Sequence, residues 1–484
     1  MTTKTEDFCR SILQLPVESA KPLANLVMAL ASYSPTHSVV GLSQSPLYHY
    51  QYSSINQTIH RLAKDDPQRQ RVQQLINQLA MRWVAPQTTY CLTSDTTPLL
   101  KPHAPTLEGR GFVHVSNTHI SGNKPIDIGF SISTVVLQQE RGWVLPLSME
   151  RVRPQQTPSQ GLCDQLKTLL GDAKLPFAKA ITITHRVDSH YGHAAFLSPT
   201  YAHDQLINVV RLRGGQRVWK LDPRPQTGGR PARYAPTPHY LIGADRQHVL
   251  RRKGQEYTCW QDSVLSVPPD QEAVLTQTTA KGRSYELRLR LWQNWLLKGN
   301  KDHKMSDKPI NVLVVEATDT KTGKALFEEP MFIGVSGRKK DDLSPQQVWQ
   351  QYDQRYDVEP FFRFNKQRLF LSQYQTCSTQ HLDNWLVVVE MAVAGPPMRL
   401  LWLTAQEASK QTLKWQQYLP IERVERPVLT LAQSYRSAER FLLTFDGSAF
   451  YPQKWVKGKP RELGSKQVPR KRYEVTRKKA KPPT

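Results

Sequence analysis

The chain has 484 residues, 39% of them hydrophobic, which is enough for a sizeable core and argues against a wholly disordered chain. Lys and Arg number 65 against 41 Asp and Glu, a net charge of +24. A compact chain so charged repels itself unless a polyanion lies against it, so nucleic acid is the expected partner class and binding should fall with salt. The cysteines Cys9, Cys91, Cys163, Cys259 and Cys377 form no CxxC and point to neither a disulfide framework nor a zinc finger.

Residues 1–86 read as helical. MTTKTEDFCRSILQLP shows no charged-then-apolar leader pattern. In DDPQRQRVQQLINQLAMRWV, Asp66 can cap, Pro67 suits the first helical position, and Val72, Leu75, Ile76, Leu79 and Trp83 recur at helical spacing. Upstream, SQSPLYHYQYSSINQTIHRL reads as a turn and a helix rich in Tyr, Gln, Asn and His, residues that touch DNA from a helix-turn-helix but also occur in a plain bundle.

From residue 87 the pattern turns to strands. TTYCLTSD predicts a strand ending in Asp95, followed by GFVHVSN, DIGFSISTVVLQ and GWVLPLSMERV. Residues 159–177 are expected to be helical, and AKAITITHRVDSHYG to give a buried strand that delivers Asp188 at its end. Residues 205–335 read as β-rich and more basic. NVVRLR-GG-QRVWKL is expected to be a hairpin turning on Gly214 and Gly215 through positive φ, TGGRPARY a basic Gly-rich loop, and YELRLRLW a half-exposed strand. WLVVVEMAVAG, with Glu390 inside it, is too short for a membrane span and reads as a core helix. The last thirty or so residues are dense in Lys and Arg, are punctuated by Pro and Gly, and are expected to be disordered in isolation.

YDQRYDVEPFFRFNK is the most informative stretch. Ser344-Pro345-Gln346-Gln347 is a helix start with a capping box. At about 100° per residue, Tyr352, Arg355, Glu359 and Lys366 fall within about 60° of one another on a single helix face. Pro360 directly after Glu359 predicts a break there, which would put Lys366 beyond it. Converging Asp95, Asp188 and Glu359 would suit two hard divalent cations, with the neighbouring basic residues gripping a phosphodiester backbone.

The spacing Tyr352-x2-Arg355-x3-Glu359-x6-Lys366 resembles the Tyr-Arg-Glu-Lys signature of insertion-sequence DDE transposases. LTSDTTPLLKPHA and HRVDSHYGHAAF resemble that family's two catalytic Asp segments. The resemblance implies an α/β fold with a ribonuclease H-like core interrupted by a β-rich insertion, an N-terminal helical domain and a basic C-terminal tail. The implied division is 1–86 DNA-binding helices, 87–204 core, 205–335 insertion, 336–400 Glu helix, 401–452 C-terminal helical region and 453–484 tail. It further implies Asp95, Asp188 and Glu359 as catalytic metal ligands for two Mg²⁺ or Mn²⁺ ions. Arg355 and Lys366 would lie on DNA phosphates, with Tyr352 positioning the DNA end. TGGRPARY separately resembles a short Gly-Arg-Pro minor-groove arm, which would make Arg230 and Arg233 DNA contacts, with an ordinary basic loop as the alternative. Trp219, Trp260, Trp292 and Trp295 are candidates to hold a flipped base, with a core role as the alternative for each.

The partners expected on this reading are double-stranded DNA, both as terminal inverted repeats and as target. A homodimer is expected in the DNA-bound complex, in a cytoplasmic, nucleoid-associated setting with no membrane. A non-catalytic DNA-binding descendant is the alternative. A zinc or iron hydrolase using His185, Asp188, His190 and His193 is a more distant rival that no ligand-spacing motif supports.

Overall fold

A computed structural model describes residues 10–32, 38–82, 84–115, 125–140, 143–221, 234–235, 238–241, 248–252, 255–259, 263–279, 282–394, 435, 464 and 469–476. Three helices come first: α1 (Ala20–Leu30), α2 (Tyr52–Arg61) and α3 (Asp66–Met81). Asp65, one residue before the expected cap, closes the start of α3 by accepting from the Gln68 amide at 2.8 Å. Pro67 then sits in the first turn, where no helical donor is missed.

The strands β1 (Thr89–Leu100), β2 (Gly111–His114), β3 (Ile126–Glu140) and β4 (Trp143–Arg151) lead to α4 (Pro158–Gly171). Thr157 and Gln160 cap α4 reciprocally. Next come β5 (Thr182–Val187), α5 (Ala194–Thr200) and β6 (Leu206–Leu212). β3 runs antiparallel to β1 and β4 antiparallel to β3, while β1, β5 and β6 are mutually parallel. The order β4-β3-β1-β5-β6, with three antiparallel and then two added parallel strands, is the arrangement expected of a ribonuclease H-like core. Its fifth strand, β6, lies beyond residue 204, inside the stretch expected to be insertion.

The sheet does not stop at β6. It continues through short strands β7 (Arg217–Trp219) and β8 (His239–Tyr240), and through β11 (Gln271–Thr278), β12 (Ser284–Leu297), β13 (Ile310–Asp319) and β14 (Met331–Ser336). A separate ribbon is formed by β9 (His248–Arg252) and β10 (Gln255–Cys259). β14 pairs antiparallel with β6, and one sheet of 12 strands results. The strands after β6 therefore widen the core sheet. The expected hairpin does not pair with itself: β6 bonds to β5 and β14, and β7 to β12 and β8. Neither Gly214 nor Gly215 takes a positive φ, so the turn lacks the twist that would fold one strand back on the other.

Three helices close the described fold: α6 (Pro345–Asp353), α7 (Val358–Arg368) and α8 (Thr379–Ala394). α8 is buried from Asn384 to Ala394, as an apolar helix without a polar face must be. One hydrophobic cluster joins α1, α2 and α3 to α7, α8 and the β1–β3–β4 face, so the N-terminal helices share the core of the sheet. Asn384 fastens them: its amide donates to the carbonyls of Ile59 at 2.8 Å and Ala63 at 3.0 Å, backbone acceptors at the end of α2.

Within the basic tail, residues 473–476 lie along residues 105–111, the segment that leads into β2. Tyr473 donates to the Pro105 carbonyl at 2.8 Å and Thr476 to that of Arg110 at 2.7 Å. This part of the tail is tied down by backbone bonds that charge composition does not reveal. Among the described residues, no helix is long and apolar enough to cross a membrane.

Candidate active site

Asp95 lies in the middle of β1, not at its end, because the strand runs on to Leu100 beside β3. The parallel register of β1 and β5 pairs Thr93 with Arg186. Carried two residues further, it sets Asp95 abreast of Asp188, the residue that follows β5. Paired residues of parallel neighbours face the same side of a sheet. Asp188 caps a short 3₁₀ turn, its Oδ1 accepting from the His190 amide at 2.9 Å, and Asp95 Oδ1 accepts from the Thr96 amide at 2.7 Å.

Glu359 arrives from across the sheet. The helical run breaks into a 3₁₀ turn at Gln354–Asp357, and α7 restarts at Val358. The break thus falls before Glu359 rather than at Pro360, which fits the first turn of the new helix where its missing donor costs nothing. Tyr352 and Arg355 are separated from Glu359 by the turn, so the single-face arithmetic does not hold across it. It does hold inside α7, where Lys366 follows Glu359 by two turns, about 20° around and about 10 Å along the axis.

The Asp95 carboxyl is pushed up to about 6, first by burial and then by the negative charge of Asp188. Arg355 opposes the rise, and Glu359 adds to it. Asp95 is therefore within electrostatic reach of both Asp188 and Glu359. Arg355 Nη1 stands 3.5 Å from Asp95 Oδ2, with side chains 9% and 20% exposed respectively. The same guanidinium lies over the Tyr356 ring at 4.6 Å and the Tyr352 ring at 5.6 Å. Tyr352 itself is 1% exposed, in the cluster beneath α6, so in this conformation it supports Arg355 from below and offers no surface to DNA. Lys366 is half-buried, and desolvation lowers its pKa.

An oxygen-only donor set of crowded carboxylates fits a hard divalent cation, which would relieve the repulsion that Arg355 now partly offsets. Among the described residues no three His, Cys, Asp or Glu side chains already stand at ligating distance, so binding requires the acids to draw closer. The imidazole alternative fares poorly. His185 is fully buried, with Nε2 at 2.8 Å from Ser94 Oγ and Nδ1 at 2.9 Å from Asn208 Oδ1, so both ring nitrogens are engaged inside the sheet. His193 Nε2 is likewise occupied by Ser159 Oγ at 3.1 Å.

Of the four tryptophans, Trp292 and Trp295 are core residues at 1% and 3% exposure, and the Trp292 indole donates to the Val267 carbonyl. Trp219 is half-buried, with Lys298 over its ring at 5.8 Å. Trp260, Arg230 and Arg233 lie outside the described residues.

Sequence reading missed Arg186, Gln351 and Gln354. Arg186, 1% exposed, donates to Gln351 Oε1 from Nε at 3.0 Å and from Nη2 at 2.6 Å, and to Gln354 Oε1 at 2.9 Å. Strand periodicity puts Arg186 on the same face as Asp188, a signal that was available. The two glutamines carried none, because an uncharged amide inside a helix looks like ordinary surface.

The chain matches the family described as DDE superfamily endonuclease over residues 18–264, a stretch that includes Asp95 and Asp188 and ends before Glu359. No curated protein matches it. With just over half of its length matched, and with a mixed sheet carrying the two aspartates side by side, the chain belongs to the DDE superfamily of endonucleases.

Proposed function

We propose that the protein is a transposase that cuts DNA at the terminal inverted repeats of its own element and joins the freed ends to target DNA. The observation that carries this reading is that Asp95 lies abreast of Asp188 and feels the charge of both Asp188 and Glu359, with Arg355 against it. When bound between such carboxylates, a pair of Mg²⁺ or Mn²⁺ ions supplies activation of the attacking oxygen and charge relief at the leaving one. Asp95 and Asp188 hold their positions through strand register and amide bonds. Glu359 closes the site from the start of α7.

Arg355 exchanges Asp95 for a phosphate oxygen as the strand enters, keeping its charge paired throughout. Lys366, two turns along α7, holds the backbone further from the cut. Of the candidate tryptophans that are described, Trp219 is the one left for a displaced base, since a base stacks on an accessible ring and not on a buried one. Two ends must be processed together, so the active form is a dimer on DNA.

The test is a supercoiled plasmid carrying the DNA that borders the gene on both sides, incubated with the protein and Mg²⁺. Cuts at inverted repeats, abolished in Glu359→Gln while end binding persists, support the reading. End binding with no cleavage in either Mg²⁺ or Mn²⁺ would replace it with a DNA-binding protein that has lost its chemistry.

A further inference from the structure

We propose that Arg186 and Gln138 are positioning residues that clamp the turn before Glu359 at two points, and so aim Arg355 and Glu359 at Asp95. The inference rests on the catalytic reading above for its consequence, but not for its geometry. The 3₁₀ turn Gln354–Asp357 crosses three adjacent strands in the order β5, β1, β3. At its first residue, Gln354 Oε1 accepts from Arg186 Nη2 of β5 at 2.9 Å. At its last, Asp357 Oδ2 accepts from Gln138 Nε2 of β3 at 2.9 Å. Between these two anchors, Arg355 reaches down to Asp95 on β1. Glu359 follows two residues after the second anchor.

The Arg186 side of the clamp is a built cluster. Gln351 Oε1 gathers Arg186 Nε and Nη2, the Thr184 hydroxyl at 3.1 Å and the Cys91 thiol at 3.3 Å, joining α6 to both parallel strands. Arg186 bonds the neutral amide oxygens of Gln351 and Gln354, and its Nη1 has no hydrogen-bond partner among the described residues. The Asp357 charge, at the second anchor, acts on this cation besides, yet a buried cation whose hydrogen bonds go to amides is an expensive way to stabilise a fold. A role in fixing a geometry explains it better, since a side chain that spans β5 and the turn transmits the position of Asp188 to the turn that leads into Glu359. Gln138 supplies the matching hold from β3, where β-sheet register with Leu92↔Leu137 sets it beside Cys91 on the same face.

The test compares Arg186→Met, Gln354→Leu and Arg186→Met/Gln354→Leu with Glu359→Gln and the unaltered chain. Cleavage of a DNA end in Mg²⁺ is followed together with end binding and backbone hydrogen exchange. Both single variants are expected to lower kcat by about 10- to 100-fold, as a misplacement of about 1 Å does, with end affinity held within about threefold. Exchange should rise at residues 354–360 and stay unchanged in α8 and β13. The double variant should be no worse than the poorer single one, because both remove the same bond.

Gln354→Leu leaves the buried arginine in place, and Gln138→Leu tests the second anchor, should Arg186→Met fail to fold. Unaltered exchange across 354–360 in Gln354→Leu and Gln138→Leu, or unaltered kcat with additive effects, overturns the clamp. Full cleavage by Glu359→Gln would instead sink the catalytic reading, while exchange would still decide whether the turn is clamped.

Discussion

One of the three acids sits on a strand, the second directly after its parallel neighbour, and the third on a helix, and they are held by different means. Asp95 and Asp188 take their places from the parallel register of β1 and β5, reinforced underneath by Ser94–His185–Asn208. Moving either would mean sliding a strand in a closely packed sheet. Glu359 is exposed at the start of an 11-residue helix that follows a tight turn, and its position depends on side-chain bonds to that turn. The comparison teaches that half of the site is built by the sheet and half is delivered to it.

The largest effect should come from the acids themselves. Asp188→Asn and Glu359→Gln should each lower DNA-end cleavage by on the order of 10³-fold or more, read by single-turnover assay. Their stabilities should separate the two regions: Glu359→Gln should shift unfolding by less than about 0.5 kcal/mol, as exposed substitutions do. A large loss of stability in Glu359→Gln would break the distinction.

On the sheet side, His185→Leu leaves Ser94 and Asn208 without their shared partner and should cost about 1–3 kcal/mol in denaturant unfolding. Burial holds the His185 imidazole down at about 4 against an ordinary value of 6.5. The unfolded chain therefore binds the extra proton between those values, and this contribution to stability is lost as pH falls from about 6.5 to about 4.

On the helix side, Glu390 of α8 has the opposite dependence. Fully buried, with one oxygen on the Gln73 amide and the other without a partner, it is pushed from 4.5 up to about 8, chiefly by burial. Its folded form binds the proton more tightly than the unfolded chain. Stability should therefore be fully present below about 4.5 and decline as pH rises through about 8. Glu390→Gln, keeping the amide bond without the charge, should flatten that limb by about 1 kcal/mol or more.

The smallest effect is Lys366→Gln. It should weaken end binding about equally for all sequences and lower the salt slope by about one unit, with cleavage of bound DNA little changed.

The same division explains what the sequence made legible. Strand-borne features were readable because period-2 patterns and β-rich segments mark them: β3, β5 and β12 lie where the residues predicted them and Asp188 directly follows β5, whereas Asp95 sits inside β1 rather than at its end. Cap chemistry was readable too, since Ser344 and Gln347 close α6 as expected. What failed were relations between distant segments. Nothing local reveals that β6 seeks β14 rather than β7, that residues 473–476 lie along the segment before β2, or that the helix breaks at Gln354 rather than Pro360. The turn at the break is met by Arg186 and Gln138, which reach from two strands far away in the chain.

The central claim is that Asp95, Asp188 and Glu359 form a single site for divalent cations. Calorimetric titration of Mn²⁺ into the unaltered chain and into Asp95→Asn, Asp188→Asn and Glu359→Gln tests it most directly. Each substitution is predicted to weaken Mn²⁺ binding by on the order of tenfold or more, since each removes one charged ligand from a shared site. Unchanged affinity in Glu359→Gln, with binding lost in the two aspartate variants, would mean that the helix delivers no ligand and would contradict the account.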